Sequence, residues 1–161
     1  MVLISLVSVD VFGRIRQWRI NEDVSEFAQM LHLGAEHAVY TDRTLVAVIR
    51  VSDNSYAVYP TNADQEFQRG VRPLIPQQRL NYCEFNEVKF ENGSNQFSGD
   101  VLIYISPTGW QASVLFELHD KDDDTRRRYV RCDRFTTRVR YDNKPLELIE
   151  ARANLTMYSS L

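Results

Sequence analysis

From Thr44 onward the chain is cut at short intervals by turn residues, and the runs between the cuts favour β-branched and aromatic side chains. That rhythm constrains the fold more than any other feature, because closely spaced turns leave room for strands and little else. Thr44 to Val51 (TLVAVIRV) reads as a strand, Ser52 to Ser55 as a turn, and Tyr56 to Tyr59 as its hairpin partner. Further strands are expected over Tyr82 to Phe90, Asp100 to Ile105, Trp110 to Leu118, a long run from Arg126 to Tyr141, and Leu146 to Ile149. The dipeptide Asn92-Gly93, the triplet Pro107-Thr108-Gly109 and Asp142-Asn143-Lys144 supply turns between them.

Ahead of this series, Val2 to Val11 is rich in Val, Ile and Leu, and Ile15, Trp18 and Ile20 follow Gly13, so the first twenty residues read as β structure. The period then changes. Val24, Phe27, Ala28 and Leu31 fall at i, i+3, i+4 and i+7, one face of a helix, with Asn21 or Asp23 as its cap and Gly34 as its stop. Together these readings predict a mainly β fold in a single domain, residues 1–161. The expected form is an antiparallel β-barrel or sandwich with one amphipathic helix near the N-terminus.

A net charge of −3 gives no reason to expect a nucleic-acid partner. No run is long enough to cross a membrane, and the apolar N-terminus lacks a basic leader region, which predicts a soluble, cytoplasmic protein with no membrane partner. Cys83 and Cys132 fit no zinc or redox spacing and read as free buried thiols. In such a compartment the sequons Asn92-Gly93-Ser94 and Asn154-Leu155-Thr156 stay idle.

Chemistry-bearing clusters are sparse. Asp120, Asp122 and Asp124 alternate as in a calcium loop, but the sixth and twelfth positions hold Thr125 and Arg131 instead of glycine and glutamate, so a solvated hairpin tip is expected and no metal. His32, His37 and His119 form no ligand set, and no nucleophile motif or phosphate-cradling loop is present. The expectation is a non-enzymatic protein without cofactors. Arg126, Arg128, Arg138 and Arg140 alternate along the last long strand and are candidate residues for binding a protein partner.

Thr61 to Leu80 is rich in amides, contains two prolines and lacks periodicity, so it reads as a long exposed loop. Such a loop could be offered to a protease, with Asp64, Arg69 and Gly70 near its apex.

The run KFENGSNQF, Lys89 to Phe97, resembles a segment of the baculovirus anti-apoptotic caspase inhibitor family. Its neighbours keep the family's order: VLISLVSVDV and NEDVSEF upstream, Pro107-Thr108-Gly109 and Val139 to Asp142 downstream. The resemblance implies a barrel-like core and a thiol protease inhibitor that acts on apoptosis by trapping a caspase-like enzyme on an exposed reactive loop. Val2 stands where that family carries its N-terminal cysteine. The alternative expectation is a structural or partner-binding β module without inhibitory activity, and a third is a barrel holding a small apolar ligand.

Overall fold

The structure, a computed structural model, describes residues 3–148, with side chains from residue 11 onward. One helix, α1 (Leu3–Thr41), precedes ten strands: β1 (Leu45–Arg50), β2 (Ser55–Pro60), β3 (Ile75–Arg79), β4 (Cys83–Phe90), β5 (Asn95–Gln96), β6 (Asp100–Ser106), β7 (Gly109–Trp110), β8 (Val114–Asp120), β9 (Asp123–Cys132) and β10 (Val139–Asp142). They form two antiparallel five-stranded sheets, ordered β3-β2-β1-β6-β7 and β10-β9-β8-β4-β5. The fold is mainly β and sandwich-like, and neither sheet closes into a barrel.

The expected N-terminal strand is helix instead. The residues that follow are held helical by the core, and a nucleated helix extends at the gain of one hydrogen bond per residue, which overrides the β propensity of the N-terminal residues. Asn21 and Asp23 therefore lie within the helix. Asp23 is buried and its Oδ2 accepts the backbone N–H groups of Tyr82 (2.6 Å) and Cys83 (3.0 Å), clamping the start of β4 to α1.

Gly34 does not stop the helix either. A Cβ there would lie 3.2 Å from Cγ2 of Val58 and 3.4 Å from Cδ1 of Ile105, so glycine lets α1 approach the first sheet closely. The stop comes at Asp42, which takes the left-handed conformation (φ 54°). Arg43 N–H then donates to Ala38 O and Asp42 N–H to Val39 O, the paired bonds of a Schellman ending.

Ile20, Val24, Phe27, Leu31, Ala35 and Ala38 bury the inner face of α1 against both sheets. Phe27 touches the rings of Tyr56 on β2 (4.9 Å between centroids), Phe85 on β4 (5.2 Å) and Phe116 on β8 (5.0 Å). Cys83 and Cys132 are free and buried in this core, and burial pushes both thiols up, Cys83 to about 12.

Two further expectations need correction. Residues 61–80 are not all loop, since β3 occupies Ile75–Arg79 and pairs with β2. The run from Arg126 to Tyr141 is two strands, β9 and β10, turning at 133–138. Gly109 (φ 111°) lies so near this turn that a Cβ would sit 2.4 Å from Thr136 O. No strand forms over 145–148, and Ile149, Glu150 and the second sequon lie outside the described residues.

Candidate interaction surface

Opposite its core face, α1 carries a second stripe. Val11, Ile15, Trp18, Glu22, Ser25, Gln29, Leu33, Glu36 and Tyr40 follow one another at spacings of four and three. At 100° per residue they stay on one side of the helix, half a turn from Phe27 and Leu31. The stripe is apolar at both ends and polar in the middle. Tyr40 is 90% exposed and Trp18 62%, and Phe12, beside the stripe, is 72% exposed. From Val11 to Arg19 no residue is buried. A helix of 39 residues is about 58 Å long, and this half adds little to the core.

The first half is nevertheless anchored to the sheets, by Arg19 over the Tyr82 ring (5.2 Å to its centroid) and by an ion pair. Arg16 donates from Nε to Asp120 Oδ2 (2.9 Å) and from Nη2 to Asp120 Oδ1 (2.5 Å), and also bonds Asp122. Asp120 is buried, and although burial raises a carboxyl, the Arg16 guanidinium and the Asp122 N–H hold it below its ordinary value. The acidic tip between β8 and β9 is thus partly neutralised, with Arg126 pairing Asp123 at 2.9 Å. Among the described residues no group of three or more His, Cys, Asp and Glu is arranged to hold a metal ion. No helix there is long and apolar enough to cross a membrane.

Asp64, Arg69 and Gly70 are exposed on the connector between β2 and β3. The connector lies against the outer face of the first sheet. Phe67 packs on Tyr59 at 5.1 Å between centroids and, with Tyr104, covers the buried Val46, Val48 and Ala57. Asn62 braces the bend, its Oδ1 accepting Glu66 N–H and its carbonyl accepting Gln65 N–H.

The four arginines are not brought into one patch. Arg126 is paired with Asp123, and Arg140 faces Arg131 across the ladder and approaches Asp133 at 3.8 Å. Arg138 is exposed at the start of the β10 side, and Arg128 is buried facing α1. The first part of the exposed stripe on α1 is masked in the sequence by the β propensity of its Val and Ile residues. The spacing of Val11, Ile15 and Trp18 at i, i+4 and i+7 is the signal that would have found it.

The chain matches no family model and no curated protein. Among solved structures it is similar to the minor pseudopilin EpsH from the type 2 secretion system of Vibrio cholerae. The TM-score is 0.55 and the identity 16%, covering 76% of this chain and 95% of that chain. This likeness of fold overturns the expected kinship with caspase inhibitors, and with it the inhibition of a cysteine protease and a role in apoptosis. The run that suggested the kinship is explained by turn chemistry. Asn92 Oδ1 accepts Ser94 N–H (2.9 Å), Gly93 takes φ 81°, and Gly93 N–H donates to Phe90 O (2.9 Å) between β4 and β5.

Proposed function

We propose that the chain is a non-enzymatic structural subunit, pseudopilin-like, that associates with other protein subunits of a secretion-type assembly through the outward face of α1. The observation that carries this reading is the second stripe: Val11, Ile15 and Trp18 at one end, Leu33 and Tyr40 at the other, on the side of the helix that the core does not use. Spacings of four and three are those by which helices seat against one another, and large exposed apolar residues in such a row mark a protein contact. The fold likeness to a minor pseudopilin supports the same reading.

The test is site-specific photo-crosslinking in the native cell. A crosslinker at Ile15 or Tyr40 should yield adducts whose partners are subunits of one assembly, while the same group at the exposed Asp64 or Gln78 should yield few. Equal yields at all four positions, or none at the helix, would remove the helix face as the contact.

A further inference from the structure

A cleft of about 760 Å³ opens between α1 and β10. Trp18 and Tyr141 line it as aromatic walls, both more than half exposed. Arg128, 8% exposed, also lines it. Its Nε donates to Asn21 Oδ1 (3.2 Å) and its Nη1 to Arg127 O (2.7 Å). Among the described residues Nη2 has no hydrogen-bond partner, and no carboxylate lies within ion-pair distance of the guanidinium. A cation this buried is costly unless an anion meets it. The other arginines of β9 each have a carboxylate partner: Arg126 has Asp123, Arg127 has Glu117 and Arg131 has Asp133.

We propose that this cleft is a binding site for an extended segment of a partner protein, one that inserts an Asp or Glu side chain onto Arg128 and carries basic residues on either side of it. Three observations select that occupant. Arg128 lines the cleft without a carboxylate partner among the described residues, and a guanidinium binds a carboxylate through charge-assisted hydrogen bonds. Glu22, Glu26 and Asp142 also line the cleft and repel a wholly anionic ligand, so a simple anion or an acidic run is disfavoured and flanking Lys or Arg is favoured. β10 is the last strand of its sheet, and among the described residues no strand pairs with its outer edge, where an extended chain can add. The cleft shares Trp18 and Glu22 with the stripe, but its carboxylate recognition stands on Arg128 and β10 and does not rest on the stripe acting in assembly.

The probe is a blocked pentapeptide, Lys-Val-Asp-Val-Lys, titrated into the full chain while tryptophan emission is followed. Trp110 is fully buried, so a change reports Trp18, and Trp18→Phe should abolish it. A saturable change is expected, with affinity about tenfold weaker or worse for the peptide bearing Asn in place of Asp and for Arg128→Gln. Glu-Val-Asp-Val-Glu should also bind more weakly. Comparing the Asp and Asn peptides on the unaltered protein keeps the test independent of whether Arg128→Gln folds. Equal affinity for these two peptides, or no saturable change with any of them, overturns the proposal. Photo-crosslinking at Ile15 and Tyr40 would be unaffected by either result.

Discussion

Arg16 and Asp120 show how a single pair governs a long stretch of chain. Asp120 is fully buried at its carboxylate while Arg16 is 37% exposed, so removing the arginine leaves a charge stranded at the foot of the projecting half of α1. Arg16→Gln should lower the denaturant midpoint, by less than the loss of a fully buried pair would because solvent screens Arg16. Asp120 titrates below its ordinary value of 3.8 when folded. A lowered folded value contributes stability above the unfolded one and loses it as pH falls through the folded one. The gap between native protein and variant should therefore be full at neutral pH and narrow in acid as Asp120 is protonated. Denaturant midpoints across pH measure it, and a gap unchanged in acid would refute the pairing. At this scale the sequence showed that Asp120, Asp122 and Asp124 form a hairpin tip, but the partner of Asp120 lies 104 residues away and leaves no local signal.

Among the elements, the hairpins were legible because turn chemistry is local. Ser52 to Ser55 and Pro107-Thr108-Gly109 fall where the turns are. The helix was not, because its extent is decided by what lies beneath it. Gly34 has the residue type of a terminator, yet it is a point of close approach to Val58 on β2 and Ile105 on β6. The connector from Thr61 was readable as irregular but not as a cover, since its purpose shows only once Phe67 meets Tyr59. Phe67→Ala should cost about 1–2 kcal/mol and quicken proteolytic nicking between residues 61 and 74. Nicking at the native rate would show that other contacts hold the connector. For the surface on α1, the spacing of its apolar residues was present in the sequence and lost to their β propensity, which tertiary context overrode.

For the whole molecule the decisive contact is Phe27, whose ring meets aromatic rings from both sheets. Phe27→Ala should cost about 3–5 kcal/mol, and tryptophan emission and far-UV circular dichroism should lose structure in one coincident transition. Two separate transitions would mean that the sheets hold together without the helix. A mechanical consequence follows from Gly34. If α1 slid along its axis, a bulkier residue would ride onto Val58 and Ile105, so the notch resists axial slip. Asp23, fastened to β4, and Arg16, fastened to Asp120, lie along the same axis. Tension on the outward half of α1 would load all three together in shear rather than peel them one at a time, so the body would follow the helix as a rigid weight on a shaft.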